Sequence, residues 1–277
     1  MSDSVRRRGG DGRRASRYAL RFAALAYLAA LLFVPVGYVV FKTFEPGVSD
    51  VWASITTPAA QHAFWLTIQL TVVAVPLNAI FGVLTALVLV RGRFPGKRLL
   101  EALVDLPFAI SPVVIGLALV LLYGREGWFG PTLADAGIQI IFSFPGMLLA
   151  TIFVTLPFVV REVAPVLREI GDEQEQAAST LGAGGWQTFS KITLPAIRWG
   201  LTYGIVLSVA RAIGEFGAVS IVSGKVSGET ETLTLLVEKR FQNFDVAGAY
   251  AASTLLALIA FLTLAGMFLA TRRRESE

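Results

Sequence analysis

Two charged residues that could act on an ion inside an apolar environment, Arg211 and Glu215, lie in the stretch SVARAIGEFGAVSIVSG. Their spacing of four places both side chains on one face of a helix, where they can pair. A charge that faces lipid is costly, so both are predicted to face a bundle interior or a water-filled cavity. An arginine balanced by a carboxylate would attract an anion weakly enough to release it, which makes the pair a candidate gate of a translocation path. The alternative is a structural ion pair that fixes this helix to a neighbour.

Other polar groups in the apolar stretches are less specific. Ser111 and Ser208 could offer hydroxyl groups to an oxyanion on the same path, although hydrogen bonding within a helix is the commoner use of such serines. Asp105 is expected to be a helix-end or loop partner. The chain has no cysteine and one histidine, His62, so the sequence predicts neither a catalytic residue nor a metal site. An intramembrane enzyme is therefore a poorly supported alternative.

The elements that must position these residues are apolar helices. Hydrophobic residues make up 55% of the 277 residues, which is too much for a soluble domain with wet loops. A helix needs about twenty apolar residues to cross the hydrocarbon core of a bilayer. Prolines inside these stretches, such as Pro112, are predicted to weaken helical hydrogen bonding. The predicted fold class is an all-α polytopic membrane protein with six transmembrane helices, at 19–41, 64–90, 99–123, 144–166, 197–222 and 246–270.

Lysine and arginine are concentrated on one side of the predicted spans, and this bias sets the orientation of a membrane protein. The basic tail at 1–18, the basic cluster at 91–98 and the tail at 272–277 all fall on that side. Both termini are therefore predicted to be cytoplasmic. The N-terminal tail is expected to be disordered, and residues 19–271 are expected to form a single membrane domain.

A polar island at 171–195 (GDEQEQAASTLGAGGWQTFSKITLP) separates the fourth predicted span from the fifth. Good helix formers at 173–181 are followed by three glycines in four residues, which end a helix and turn the chain. Trp186, Phe189 and Ile192 recur at a spacing of three, which predicts a second short helix with an apolar edge. The island is thus predicted to be a helical elbow on the cytoplasmic side. A surface helix that only connects two spans is the alternative.

The first helix of the elbow carries small or apolar residues, which allow the groove of another protein to approach its backbone. The elbow also resembles the E-A-A, three residues, G, nine residues, I-x-L-P loop of permease subunits of bacterial ABC importers. In that family the loop docks into a cleft of a cytoplasmic ATPase. Gln176 stands where the family has glutamate, and Glu175 precedes it. The residues that the resemblance assigns to ATPase coupling are Glu175, Gln176, Ala177, Ala178, Leu181, Gly182, Ile192, Leu194 and Pro195.

The resemblance extends from the first predicted span to the sixth. The runs LPFAISPVVIGLALVLLYG at 106–124, GWFGPTLADAGIQIIFSFPG at 127–146 and ARAIGEFGAVSIVSG at 210–224 are similar to permeases of sulfate and thiosulfate ABC importers. Of the two permeases that such importers combine, the chain resembles the W-type partner. The run ARAIGEFGA is shared with molybdate and tungstate permeases, so an importer of those anions is an alternative.

The resemblance implies the type I permease fold of ABC importers, in the cytoplasmic (inner) cell membrane. It implies a second homologous permease, two cytoplasmic ABC ATPase subunits and an external sulfate-binding protein as partners, together with membrane lipid and without nucleic acid. It implies no cofactor bound by this chain, with ATP and magnesium used by the partner ATPase. The sequence has no phosphate-binding G-x-x-x-x-G-K-S/T motif, so the chain is expected not to be an enzyme by itself. A passive anion channel is a further alternative, against which the coupling elbow argues.

Overall fold

The computed structural model describes residues 8–272, and the regular elements within these residues are all helical. A π-helical turn, Phe189–Thr193, joins the ninth α-helix to the tenth. In chain order the α-helices are α1 (Arg8–Phe44), α2 (Val48–Ile55), α3 (Pro58–Arg91), α4 (Lys97–Ala109), α5 (Pro112–Tyr123), α6 (Gly130–Asp135), α7 (Phe144–Ile170), α8 (Glu173–Thr180), α9 (Gly185–Thr188), α10 (Leu194–Ile213), α11 (Val219–Val222), α12 (Leu233–Gln242) and α13 (Val246–Arg272).

Five helical stretches in the described residues are long and apolar enough to cross a membrane, and the pair α4 and α5 passes the same test as a sixth. The five stretches include most of α1, α3, α7, α10 and α13. The predicted number of spans is therefore confirmed. The fourth span starts at Phe144, as the sequence predicts, because Pro145 occupies a first-turn position where a missing N–H is tolerated.

The third span is not the continuous helix that the sequence predicts at 99–123. It is broken at Ile110 and Ser111, and the axes of α4 and α5 are bent by 114°. Pro112 lacks a backbone N–H and disfavours the helical conformation in the residue before it. Ser111 accordingly has φ −59° and ψ 136°, and Ile110 is extended as well. The proline thus starts a new helix instead of bending the old one gently.

The fifth span is also interrupted. The sequence predicts a helix at 197–222, but α10 ends at Ile213 and residues 214–218 are irregular before the short helix α11. Gly214 and Gly217 fall in this segment, and glycine is a poor helix former. The carboxylate of Glu215 accepts a hydrogen bond of 2.8 Å from the N–H of Ala218. This contact closes a local turn just before the new helix.

The first helix is longer than its predicted span. It begins at Arg8, inside the segment 1–18 for which disorder is predicted, because a helix that has formed extends at one hydrogen bond for each residue added. Residues 1–7 and 273–277 of the two predicted tails lie outside the described residues. The apolar side chains of Leu20–Phe44 face outward, so this helix needs lipid or another chain around it.

Helix α7 is the centre of the bundle and packs against α3 on one side and α10 on another. A Cβ atom added to Gly82 of α3 would lie 2.6 Å from Cβ of Val159. One added to Gly204 of α10 would lie 2.8 Å from Cα of the same valine. Small residues at such contacts let helices pack closely in a membrane, where van der Waals contact replaces the hydrophobic effect.

Two hydrophobic clusters define the ends of the bundle. Val159, Val163 and Leu167 of α7 pack with α4 and the end of α3, at what we call the elbow end. Met147 and Val154 of α7 pack with α5 and α11 at the far end. The two helices of the broken third span therefore lie at opposite ends of the bundle, α4 at the elbow end and α5 at the far end. Because α10 runs antiparallel to α7 from the elbow end, its last residues lie beside the middle of α7.

Candidate functional site

The elbow predicted at 171–195 is a pair of short helices, α8 and α9, between the end of α7 and the start of α10. Gly182 follows α8 in a left-handed conformation with φ +86°. The N–H of Ala183 donates a hydrogen bond of 3.0 Å to the carbonyl of Ala178, which closes the end of α8. The chain therefore turns where the sequence places its glycines.

The outer surface of the elbow is exposed in the described part of the chain. Leu181 is 88% exposed and Trp186 is 76% exposed, and the indole ring lies beside Phe189 with 5.6 Å between ring centroids. Gln176 and Ala177 are exposed as well. Large apolar side chains next to small residues on a protruding turn are typical of a surface on which another protein docks.

The other residues assigned to coupling lead from the elbow into the fifth span. Ala178 is half-buried on α8. Ile192 and Leu194 are half-buried, and Leu194 packs against the hydrophobic cluster at the elbow end. Pro195 is exposed in the first turn of α10, where its missing N–H is tolerated. Leu194 thus packs the elbow against the bundle, whereas Leu181 and Trp186 form its outward surface.

Arg91, the last residue of α3, joins the elbow to the bundle. Its Nε lies 2.9 Å from Oε2 of Glu175, in the first turn of α8. Its Nη1 donates a hydrogen bond of 3.0 Å to the carbonyl of Leu167, and its Nη2 donates to the carbonyl of Gly171. The hydroxyl of Thr193 donates a hydrogen bond of 2.7 Å to Oε1 of Glu175. We call Arg91, Glu175, Thr193 and the two carbonyls the Arg91 network.

The Arg91 network connects α8 with the ends of three spans, α3, α7 and α10. The side chains of Arg91 and Glu175 are 23% and 20% exposed, and charge-assisted hydrogen bonds at such sites are stronger than neutral ones. Glu175 makes this charged contact, while the neighbouring Gln176 is exposed. Sequence reasoning counted Arg91 only as part of the basic cluster, because its partner lies 84 positions away and no motif joins them.

The interruptions of the third and fifth spans meet beside the middle of α7. A Cβ atom added to Gly217 would lie 2.8 Å from Cβ of Pro112, so the two breaks touch. We call the contact of residues 110–112 with residues 214–218 the junction. Irregular backbone at this depth is tolerated only where protein or a water-filled cavity surrounds it. Discontinuous helices near the membrane midplane are also where many transporters bind their substrates.

The predicted ion pair forms at the junction, although Glu215 lies just beyond α10 instead of on it. Nη1 of Arg211 is 2.6 Å from Oε2 of Glu215, and the side chains are 32% and 1% exposed. The backbone carbonyl of Glu215 accepts a hydrogen bond of 2.8 Å from the hydroxyl of Thr234. A carboxylate buried so completely requires its cation. The pair therefore fixes the junction and leaves part of the Arg211 guanidinium facing outward.

A cavity of about 370 Å³ lies at the junction, with Arg211 in its wall. Ser111 lines it, is exposed and makes no capping hydrogen bond at the start of α5. Ser208 is fully buried, and its hydroxyl donates a long hydrogen bond of 3.4 Å to the carbonyl of Thr155 in α7. Of the two serines considered for an oxyanion, Ser111 is the one that lines the same cavity as Arg211. The remaining walls are Pro107, Phe108, Ala109, Ile110, Pro112, Val154 and Phe158.

No group of three or more histidine, cysteine, aspartate or glutamate residues within the described part of the chain is arranged to hold a metal ion. The chemistry available at the junction is thus that of an arginine, a carboxylate and a hydroxyl. These groups can bind and release an anion through hydrogen bonds and charge.

A family model described as "Binding-protein-dependent transport system inner membrane component" matches residues 78–275. The chain belongs to this family of membrane transport components. It is 51% identical over 248 residues to the sulfate transport system permease protein CysW of Synechocystis, with 90% of each chain covered. It is 49% identical to the protein of the same name from Escherichia coli, which covers 85% of this chain and 81% of that one.

The chain is also 39% identical to the sulfate transport system permease protein CysT of Escherichia coli, over 88% of this chain and 91% of that one. A solved structure of similar fold is a bacterial alginate ABC transporter in complex with a periplasmic protein that holds an alginate pentasaccharide. The TM-score is 0.80 with 18% identity, and the match covers 95% of this chain and 96% of that one. The all-α permease fold that the sequence predicts is confirmed.

Proposed function

We propose that this chain is the W-type permease subunit of an ATP-driven importer of sulfate and thiosulfate. The observation that carries the proposal is the exposed elbow, whose apolar surface is fixed to three spans by the Arg91 network. A passive channel would have no need of such a surface, whereas an importer needs one to receive motion from an ATPase. The identity with permeases named for sulfate transport supports the choice of substrate.

The proposed complex contains a second homologous permease, two cytoplasmic ABC ATPase subunits and an external sulfate-binding protein. The resemblance of the chain to both CysW and CysT proteins supports two related permeases. ATP and magnesium belong to the ATPase subunits in this proposal, because the sequence of this chain has no phosphate-binding loop. In this proposal the chain by itself is not an enzyme. It forms part of the translocation path and passes the movement of the ATPase subunits to the spans.

The elbow faces the cytoplasm in the proposed orientation, together with both termini. Support comes from the basic residues, since Arg91, Arg168 and Lys191 all lie near the elbow end of the bundle. Cytoplasmic segments of membrane proteins carry an excess of lysine and arginine. The external binding protein then meets the far end of the bundle, where α6 and α12 lie.

Import of the proposed substrate requires a source of energy. Moving a divalent anion into a cell against an inside-negative potential costs about 4.6 kcal/mol per 100 mV, since each elementary charge contributes about half of that. A passive channel would therefore lose sulfate from the cell. In the proposed mechanism the loaded binding protein docks outside, the ATPases close on ATP, and the elbows transmit that movement to the spans. The path then opens alternately to the two sides.

Radiolabelled sulfate uptake tests the proposal in cells that lack this chain and then regain it. The expected result is uptake that returns with the chain, depends on ATP and is reduced by unlabelled thiosulfate. Stronger competition by molybdate than by thiosulfate would favour the molybdate or tungstate importer. Uptake that is equal with and without the chain would contradict the proposal.

Copurification supplies an independent test of coupling. We expect a cytoplasmic ATPase to copurify with a tagged chain that is solubilised together with its partners. Leu181→Glu is the informative variant, because it places a charge on the 88% exposed tip of the elbow without touching the bundle core. Retention of the ATPase by Leu181→Glu would count against docking at the elbow.

A further inference from the structure

Oppositely charged pairs follow the contact between α4 and α7, which we call the α4–α7 seam. Nη2 of Arg168 lies 3.6 Å from Oε1 of Glu101 toward the elbow end. Nη2 of Arg161 lies 3.0 Å from Oδ1 of Asp105, two helical turns nearer the middle of α7. The four side chains are between 40% and 55% exposed. Both pairs therefore lie on an open face of the chain.

Phe108 connects the seam to the cavity at the junction. The guanidinium carbon of Arg161 lies 4.6 Å from the centroid of the Phe108 ring. The same ring meets Phe158 edge-on, with 5.2 Å between centroids. Both phenylalanines line the cavity that has Arg211 in its wall. Three arginines, each beside a carboxylate, thus follow one face from the middle of the bundle to the elbow end.

The position of the inner pair indicates what should surround it. Arg161 lies five residues inside the predicted fourth span, which ends at 166, or about 7.5 Å along the helix axis, whereas Arg168 lies beyond that span. A half-exposed charged pair inside a span would be costly against hydrocarbon. The Arg161–Asp105 pair is therefore expected to face a water-filled space, which the second permease of the proposed complex would close on its other side.

We infer that the cavity and the α4–α7 seam form the exit path of a divalent tetrahedral oxyanion, an inference that rests on the proposed function. Arg211 and Arg161 each present a planar set of N–H donors that suits an oxyanion. The paired carboxylates, Glu215 and Asp105, cancel most of the local charge. A dianion is then attracted at each step and still released, which conduction along several sites requires. The hydroxyl of Ser111 adds a donor in the cavity.

Thiol labelling tests whether the seam faces water. Because the chain has no cysteine, a single introduced cysteine reports on its own surroundings. Phe108→Cys probes the path and Leu84→Cys on α3 is the control, since the native side chains are similarly exposed, at 46% and 52%. In membranes that hold the assembled complex, a negatively charged methanethiosulfonate should label Phe108→Cys about tenfold faster, because hydrocarbon around Leu84 excludes the anionic reagent. Added sulfate should slow that labelling. Equal rates at the two positions would overturn the exit path.

Uptake variants test the role of the arginines. Arg161→Gln and Arg211→Gln should each lower the maximal rate of sulfate uptake about tenfold, as expected for loss of one charge-assisted hydrogen bond at a step of transport. Arg211→Lys should recover part of the rate because it keeps the charge. The control is Arg198→Gln on α10, an exposed arginine that lies over Trp199 and belongs to neither ion pair of the seam. Membrane content of each variant is measured alongside.

The two proposals fail in distinguishable ways. Wild-type rates in both Arg161→Gln and Arg211→Gln, or an equal loss in Arg198→Gln, would overturn the exit path and leave the importer in place. Absence of sulfate uptake by the wild-type chain would instead overturn the proposed function. Fast labelling of Phe108→Cys that sulfate does not change would also overturn the assignment of this path to an oxyanion.

Discussion

Arg91 and Glu175 meet across the base of the elbow, with 2.9 Å between Nε and Oε2. The same carboxylate accepts a hydrogen bond of 2.7 Å from Thr193 at the start of the fifth span. Arg91 in turn donates to the carbonyl of Leu167 at the end of the fourth. Arg91 and Glu175 together thus connect α8 to the span before it and to the span after it. The elbow is consequently fixed to the bundle by hydrogen bonds and an ion pair.

Glu175→Gln should uncouple transport from ATP hydrolysis. The amide keeps the size of the side chain but loses the charge, and one hydrogen bond to a charged partner contributes about 1.5–3 kcal/mol. We expect sulfate uptake to fall about tenfold or more, while ATP hydrolysis stimulated by the binding protein falls much less. The measurement is the ratio of transported sulfate to hydrolysed ATP in proteoliposomes that contain the full complex.

The matched control for that variant is Glu173→Gln. Glu173 also lies in the first turn of α8, but it is exposed and makes no contact in the Arg91 network. It should retain the wild-type ratio of transport to hydrolysis. If the two variants lowered the ratio equally, the general acidity of α8, and not the contact with Arg91, would be what matters.

Gly182→Val should abolish uptake without preventing membrane insertion. The left-handed φ of +86° is strained for a residue with a side chain, at about 1–2 kcal/mol for one residue, and more for a β-branched one. Gly182→Asn should be milder because asparagine tolerates this conformation. Gly184→Ala is the control, since Gly184 has φ −72° and open space around its Cα. Uptake is compared at equal membrane content, and normal uptake by Gly182→Val would argue against a defined turn.

The elbow and the number of spans could be predicted from the sequence because their signals are local. A glycine-rich run after good helix formers must turn, and twenty apolar residues must be buried or lie in lipid. The signal in the sequence for the break at Pro112 is weaker. A proline predicts a kink, but the size of the bend depends on the contact of α5 with α11, which brings together residues about one hundred positions apart.

Which side of each helix meets lipid, the cavity or a neighbouring helix could not be predicted in the same way. Ser111 and Ser208 both lie in predicted spans, yet the first lines the cavity and the second is packed against α7. Asp105 was expected to be a helix-end or loop partner, and it lies within α4 with Arg161 of α7 opposite. Periodicity in a uniformly apolar helix does not distinguish the lipid-facing side from the side that faces a partner helix.

Gly116→Ala should destabilise the far end of the bundle. A Cβ atom at this position would lie 2.8 Å from the carbonyl oxygen of Ala218 and 2.8 Å from Cβ of Ile221, so α5 and α11 would have to separate. Overpacking of this kind costs about 1–3 kcal/mol. Gly37→Ala in α1 is the control, since nothing lies within 4 Å of its added Cβ. Thermal unfolding of the purified complex in detergent should show a lower Tm for the first variant alone, and equal Tm values would contradict the close contact.

Glu215→Gln should lower both the half-saturating concentration of sulfate and the maximal rate of uptake, measured in vesicles at a fixed concentration of loaded binding protein. The amide oxygen can still accept the hydrogen bond that Ala218 donates, so the junction should keep its shape. Arg211 would lose its counter-charge, hold the dianion more tightly and release it more slowly. A purely structural role predicts a lower rate with an unchanged or higher half-saturating concentration. Glu238→Gln, which breaks an exposed ion pair of 3.3 Å with Lys225, is the control and should change neither quantity by more than about twofold.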